Sequence, residues 1–369
     1  VGIESWCAAK LGWERAIEAL KAWRPDVLYV HGMDHPMEMS RVLQCAPTVL
    51  FAHGYSGTCI SGHKMFSAPR PVPCARVFGP LCFGHYYPNR CGGLDPLRMV
   101  RSYRDQRVQL DLMRGCAMIL TASEHMRLEL LRHGCASESV RSITLPVALP
   151  DPGELSPDSA ETGQAASLAG EQVLRLLYAG RMTRLKGGPI MFDAVAAAAP
   201  LLNRPIQLVL VGDGPERAAW ERIANRVAAS NPGNISIEFR GTLDHVMLGR
   251  TMRNSDLLIV PSTWPEPFGL VGPEAGLRGL PAVAFSVGGI PEWLTDGING
   301  RLAPGDPPSA DGLARAIVQC VRDPDELARM GRRACESFSS GRFALDRHVS
   351  ELLRIFERAI EPDAAARSC

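Results

Sequence analysis

Parallel, doubly wound α/β sheets in two domains are what this 369-residue chain predicts, on three observations. Short apolar runs alternate with longer helical stretches, a pattern that gives parallel strands covered by helices. Asp151 to Gln172 is rich in Ser, Pro, Ala, Gly and acidic residues, lacks a periodic apolar pattern and reads as a linker. Charge divides at the same place: residues 1–150 carry 17 Lys and Arg against 12 Asp and Glu, a net of +5, and the remainder carries 23 against 27, a net of −4.

Within residues 1–150, the first domain, strands are expected at Asp26 to His31, Thr48 to His53, Ala117 to Thr121 and Ser142 to Val147, with helices between. Arg98, Arg101, Arg104 and Arg107 recur every three residues along one of those helices. A solvated helix face accounts for them first; docking on anionic lipid or on an acidic acceptor is the functional alternative. After the linker, 151–172, a second domain over 173–342 alternates more cleanly. Its strands are expected at Val173 to Ala179, Ile206 to Val211, Ile235 to Phe239, Leu257 to Val260 and Ala282 to Phe285. Asp323-Pro324-Asp325-Glu326 carries a helix start, with an Asp cap, Pro in the first turn and an acid at the third position. The last helix, Ala344 to Ile360, is amphipathic and lies in a closing segment, 343–369.

The charged balance, 40 Lys and Arg against 39 Asp and Glu, and the ordinary apolar fraction of 46% point away from a nucleic-acid binder and from a disordered chain. No stretch approaches a membrane span and no signal segment opens the sequence, so a soluble, cytoplasmic protein is expected. Eleven cysteines in a chain of this length and pattern fit a reducing compartment better than a disulfide scaffold.

The segment Pro261 to Glu274 is the most informative, because it sets Glu266 and Glu274 eight positions apart across a strand-to-helix junction. Pro267-Phe268-Gly269 is expected to open the helix, with Glu274 two turns in. A phosphate fits near such an opening, and a ribose diol wants such an acceptor. Arg181 and Lys186 leave the end of the first strand of the second domain, the edge at which doubly wound folds bind ligands. Two cations there can neutralise a departing diphosphate, or simply face solvent. Gly212 sits in Gly212-Asp213-Gly214-Pro215, a turn suited to ligand approach or an ordinary strand-to-helix turn.

Taken together, Leu176-Leu177-Tyr178-Ala179-Gly180-Arg181, Lys186-Gly187-Gly188, Val211-Gly212-Asp213-Gly214-Pro215, Phe239-Arg240-Gly241, Pro261 to Glu274, Gly288-Gly289-Ile290-Pro291-Glu292 and Asn299-Gly300 match one family in order and spacing. Over roughly its second half the chain resembles the retaining glycosyltransferases of the two-Rossmann-domain (GT-B) fold, in the class with a Glu-x7-Glu signature. The resemblance implies two Rossmann-like domains facing across a cleft. It implies transfer of a sugar from a nucleoside-diphosphate sugar to a hydroxyl of a glycan, lipid or small molecule, with no cofactor or dedicated metal. Arg181 and Lys186 would hold the diphosphate and Glu274 the ribose. Leu243 would hold the base through its backbone, with Gly180 and Gly212 close by. Glu266, with the backbone of Phe268, Gly269 and Leu270, would hold the sugar. His53, at the end of its strand, matches a family position near the donor sugar; His31 has a weaker claim. Trp264, Trp293 and Phe268 are expected to be packing residues. Arg278 departs from the small residues usual there and is expected to be exposed.

The last helix is expected to cross back to the first domain, as in the family. The family's first domain opens on a strand and a glycine-rich loop over the donor phosphates that precede anything recognisable here. The first domain is therefore expected to be N-terminally incomplete, prone to associate, and poor at transfer while still binding nucleotide. Partners are expected to be the nucleotide sugar and the acceptor, without nucleic acid, and the basic first domain leaves peripheral contact with the inner face of a membrane open. Cys59, Cys74, Cys82 and Cys91, spaced by 15, 8 and 9 positions, lack a Cys-x2-Cys pair, so buried thiols are expected ahead of a structural zinc. Same-fold alternatives are a sugar-nucleotide epimerase or a phosphorylase, and a more distant one is a non-catalytic nucleotide-binding subunit.

Overall fold

The computed structural model of the protein describes residues 12–32, 36–147, 149–155, 173–339 and 341–360. The chain divides into two units, one of Val1–Pro69, Cys74–Thr144 and His348–Cys369, the other of Arg70–Pro73 and Leu145–Arg347. Most of the expected linker, residues 156–172, lies outside the described residues.

In the first unit, α1 (Trp13–Trp23), β1 (Leu28–His31), α2 (Pro36–Val42) and β2 (Thr48–Ala52) come first. They are followed by α3 (Leu81–Tyr86), α4 (Pro96–Arg114), β3 (Met118–Thr121), α5 (Glu124–Arg132) and β4 (Val140–Ser142). The four strands pair in the order β1-β2-β3-β4, all parallel. The central strands read Thr-Val-Leu-Phe-Ala and Met-Ile-Leu-Thr and are buried at every position, as continuous apolar runs in a helix-covered parallel sheet should be. The fourth strand is Val140–Ser142 rather than the expected Ser142 to Val147; its ladder goes no further than the Ile143 N–H, which donates to the Thr121 carbonyl at 2.9 Å, and Pro146, which cannot donate, excludes a strand through Val147. Helix α4 starts where Asp95 accepts the Leu97 N–H at 2.9 Å, and its four expected arginines are all exposed. From His348 onward, the last helix packs with this unit: His348 Nδ1 lies 2.9 Å from the Thr144 carbonyl oxygen, and Phe356 meets Tyr29 edge-on at 5.2 Å.

The second unit contains β5 (Leu174–Ala179), α6 (Gly188–Ala198), β6 (Ile206–Val211), α7 (Arg217–Ser230), β7 (Ile235–Gly241), α8 (His245–Arg253) and β8 (Leu257–Val260). After these come α9 (Val271–Leu277), β9 (Ala282–Phe285), β10 (Gly300–Ala303), α10 (Ala310–Val321) and α11 (Pro324–Ser339); the last helix described, α12 (Leu345–Ile360), belongs to the first unit from His348 onward. Six parallel strands pair in the order β10-β9-β8-β5-β6-β7, so the chain enters at the middle, runs to one edge, then returns and runs to the other. That is the doubly wound order of a dinucleotide-binding sheet. The expected cap of α11 is present: Asp323 Oδ1 accepts from the N–H groups of Asp325 and Glu326 at 2.9 and 3.3 Å. Strand β10, Gly-Arg-Leu-Ala, was not expected, being a short edge strand that opens on glycine. Arg278 is also not where its charge suggests. It is 8% exposed and forks onto Glu154.

Candidate functional site

The strand order fixes where a ligand can sit. β6 and β8 leave β5 in opposite directions, which opens a crevice beyond the carboxyl ends of β5 and its neighbours. On one side of it, the loops after β5, β6 and β7 are joined backbone to backbone. Gly180 N–H donates to Val211 at 3.0 Å, Met182 N–H to Asp213 at 2.8 Å, and Gly212 N–H to Gly241 at 2.7 Å. Gly212 has φ 122°, and a Cβ there would lie 2.1 Å from the Gly180 carbonyl oxygen. The close approach that requires this glycine is thus between neighbouring loops, not between backbone and ligand.

A cavity of about 770 Å³ opens at this edge, and Gly180, Arg181, Gly212, Leu243 and Glu274 share its wall with Asp213. Arg181 is exposed, and its guanidinium has no hydrogen-bond or ion-pair partner among the described residues. Its carbonyl accepts from Tyr178 Oη at 3.1 Å, which fixes the backbone from which the side chain projects. Burial first, and the Glu266 carboxylate second, raise the Tyr178 phenol above its usual range, so it stays a donor. Arg181 and Glu274 therefore put a cation and a carboxylate on the wall of one cavity.

Lys186 and Glu266 do not line that cavity; they meet each other. Lys186 Nζ is 2.5 Å from Glu266 Oε1, which also accepts from Ser262 Oγ at 2.5 Å. The two loops that carry them are tied by Thr263 N–H to the Leu185 carbonyl at 3.1 Å. Glu266 is 4% exposed, its backbone carbonyl accepts from Gly289 N–H at 2.7 Å, and the Lys186 ammonium stands 5.7 Å from the centre of the Trp264 ring. Ser262 and Trp264 were not foreseen as partners of this pair, although both lie within four positions of Glu266.

The helix expected from Pro267 begins instead at Val271, and Glu274 sits in its first turn rather than two turns in. Pro267 to Leu270 is a turn. Gly269 has φ 93°, and Phe268 is buried with its carbonyl accepting Trp293 Nε1 at 2.7 Å. Phe268 and Trp293 are core residues here, 5% and 3% exposed, and Leu270 is the residue before the helix.

His53 belongs to the first unit and follows β2 at the end of its sheet. Its Nε2 is 2.7 Å from Nδ1 of His31, the last residue of the neighbouring strand, so the two positions singled out in sequence form one pair. Burial lowers the pKa of both rings, and for His53 the neighbouring His31 lowers it further. Cys59, Cys74, Cys82 and Cys91 are free and half-buried. Among the described residues, no group of three or more His, Cys, Asp or Glu is placed to hold a metal ion. Burial, reinforced by the other three thiols, pushes Cys91 up to about 12.

Comparison with protein families matches residues 161–337 to glycosyl transferases group 1. Among curated proteins, the chain is 32% identical over 216 residues to D-inositol 3-phosphate glycosyltransferase of Streptomyces griseus, covering 56% of this chain and 44% of that protein. It is 34% identical over 172 residues to glycogen synthase of Mycobacterium tuberculosis, covering 45% and 38%. The chain thus spans less than half the length of these relatives. Among solved structures, HepE of Anabaena, crystallised with UDP and glucose, superposes with a TM-score of 0.66 at 19% identity, over 96% of this chain and 84% of the other. At that identity the likeness shows the fold alone, which is the two-Rossmann-domain (GT-B) architecture. With its signature motifs in order and its strand order, residues 161–337, just under half of the chain, thus match the glycosyl transferases group 1 family.

Proposed function

We propose that the protein is a retaining glycosyltransferase that moves a hexose or related sugar from a nucleoside diphosphate to an acceptor hydroxyl. The observation that carries this reading is the cavity wall on which Arg181, whose guanidinium has no partner among the described residues, and the carboxylate of Glu274 share the carboxyl edge of the second sheet. Arg181 meets the diphosphate, Glu274 accepts from the ribose hydroxyls, and the backbone at Leu243 meets the base. Lys186 supplies the second positive charge, shared with Glu266, whose other role is to hold the sugar together with the backbone of Phe268 and Gly269. The relative HepE was crystallised with UDP and glucose, which supports a donor of this class.

In the reaction, the bond from the sugar's anomeric carbon to the diphosphate oxygen breaks as the acceptor oxygen bonds to the same face. The transition state resembles an oxocarbenium ion, and the acceptor's proton passes to the leaving phosphate. Negative charge grows on the diphosphate as the bond breaks, so fixed cations there bind the transition state better than the ground state. No dedicated metal enters this scheme.

We place the protein on the cytoplasmic side, with peripheral membrane contact through the first unit. Among the described residues, no helix is long and apolar enough to cross a membrane. The nine cysteines described are all free, which fits a reducing compartment. Leu94 and Leu97, 83% and 78% exposed, stand beside the exposed arginines of α4, a composition that suits an anionic lipid surface.

The test is product analysis by mass spectrometry with UDP-, GDP- and ADP-sugars, with and without glycan and lipid acceptors. Acceptor-dependent glycoside with release of nucleoside diphosphate is expected. Isomerised donor without acceptor would make the protein an epimerase, phosphate-dependent sugar phosphate a phosphorylase, and binding without turnover a nucleotide-binding subunit.

A further inference from the structure

The short 3-10 turn Pro152–Leu155 sets Glu154 against α8 and α9, with its side chain 1% exposed. Arg278 forks onto this carboxylate, Nε to Oε2 at 2.9 Å and Nη2 to Oε1 at 2.5 Å. Arg253 Nε stands 3.5 Å from Oε2, and the Asp151 N–H donates to Oε1 at 3.1 Å. Burial alone would raise the pKa of Glu154, but the Arg278 fork, the Asp151 N–H and Arg253 together hold it below the ordinary carboxylate range.

The slot is built for it. Gly249 of α8 forms the floor, where a Cβ would come within 2.3 Å of the Glu154 carboxyl carbon. The next residue, Arg250, fastens the same turn by donating to the Gly153 carbonyl from Nε at 3.2 Å and from Nη2 at 2.5 Å.

Arg278 has one more bond. Its Nη1 donates at 2.8 Å to the backbone carbonyl of Glu274. Helix α9 is only seven residues long, and the Arg278 N–H turns to the Ala275 carbonyl at 2.9 Å, leaving the Glu274 carbonyl to the guanidinium. The residue whose carboxylate lines the cavity is thus held at its backbone by a buried ion pair reaching outside the helix.

We infer that Glu154 and Arg278 are positioning residues for Glu274, and that recognition of the donor's ribose depends on this pair through the Arg278–Glu274 bond. The inference rests on the reading of Glu274 as the ribose acceptor. A pair that served stability alone would weaken every ligand alike when cut, whereas a pair that sets Glu274 affects the hydroxyls specifically.

The experiment is calorimetric binding of UDP, GDP and ADP, each against its 2′,3′-dideoxy form, with melting recorded in parallel. Wild type is expected to prefer the ribose form at least about tenfold, in line with a site built around a polar group. Glu154→Gln and Arg278→Met should each cut that preference at least about fivefold, and Arg278→Lys should restore part of it. Glu154→Gln keeps the shape of the slot and serves if Arg278→Met does not fold. Ile317→Val, buried in α10, is the comparison for a stability loss alone and should leave the preference unchanged. If the Glu154 and Arg278 variants keep the wild-type preference, or weaken ribose and dideoxy forms equally, the inference is overturned. A wild type that binds none of the three, or binds both forms equally, overturns the reading of Glu274 itself.

Discussion

The two units fasten the loops at their strand ends in opposite ways. In the second, the loops after β5, β6 and β7 are joined backbone to backbone, which frees the Arg181 side chain to face the cavity. In the first, the segment after β2 is fastened by side chains. Lys64, 3% exposed, pairs with Glu129, 4% exposed, and donates to the carbonyls of Thr58, at 3.3 Å, and Arg76. His133 lies 3.3 Å from the same carboxylate and accepts the Phe78 N–H at 2.8 Å. Loops that touch by backbone need glycine and leave a readable motif. Loops held by buried charges leave a Lys, a Glu and a His scattered through the sequence.

The contrast predicts where substitutions cost most. Lys64→Met takes from the buried Glu129 its buried cation, leaving the more exposed Arg132, 3.3 Å from Oε2, and should cost about 3–5 kcal/mol, read by urea unfolding followed with hydrogen exchange. Adding Glu129→Leu should return most of that loss, since a matched apolar pair removes the buried carboxylate. A loss below about 1 kcal/mol for the single change would show that the first unit does not depend on the pair.

For the second unit, the largest effect should fall on catalysis rather than folding. Arg181→Ala should lower sugar transfer at least about a hundredfold, near 2.7 kcal/mol of transition-state stabilisation, with the melting temperature unchanged. Lys186→Ala should lose as much activity but also some stability, because it leaves the buried Glu266 without its cation. Near-normal turnover in either variant removes the diphosphate assignment.

The two acids should then separate. Glu274→Gln is expected to weaken binding of the free nucleoside diphosphate, and Glu266→Gln chiefly to slow turnover of the intact donor; calorimetry with both ligands measures the split. Equal behaviour towards the two ligands would merge the roles that their separate positions suggest.

The smallest effect is a difference in acid response. Burial holds His31, His53, His63 and His133 of the first unit below the ordinary imidazole range. Between the lowered folded values and about 6.5 the unfolded chain binds more protons, so the stability these groups contribute is present above about 6.5 and is lost as pH falls through the folded values. Hydrogen exchange at pH 7.5 and 5.5 should show β1 to β4 losing protection while β5 to β10 keep theirs. Equal loss in both sheets would put the acid response elsewhere.

How far the sequence could be read follows the same division. The strands β5 to β9 were legible as apolar runs of buried parallel strands, and the residues on the cavity wall came from motifs tied to those strand ends. Strand β10 escaped because four residues opening on glycine carry too little pattern. The start of α9 was misplaced because Pro267-Phe268-Gly269 suits a helix opening and a turn equally well. Glu154 was hidden for a different reason. Its partner Arg278 lies 124 positions away, and it sits in a stretch whose composition reads as a linker. The His31–His53 pair was half legible: each residue ends an apolar strand, but adjacent parallel pairing in register brings the rings together.

The strand order of the second sheet also bears on how that unit assembles. β5, β6 and β7 follow one another along the chain and along the sheet, whereas β8 must return to β5; Asp256, at its start, accepts the Arg175 N–H at 2.7 Å across 81 positions. Closing that loop carries a larger entropic cost than joining neighbours, so the β5–β8 join is the seam between two halves of the unit. Arg181 stands on one side of this seam and Glu274 on the other. If the proposed nucleotide is held by both, it acts as a clasp and becomes part of what keeps the halves together, by an amount that grows with its concentration over its dissociation constant.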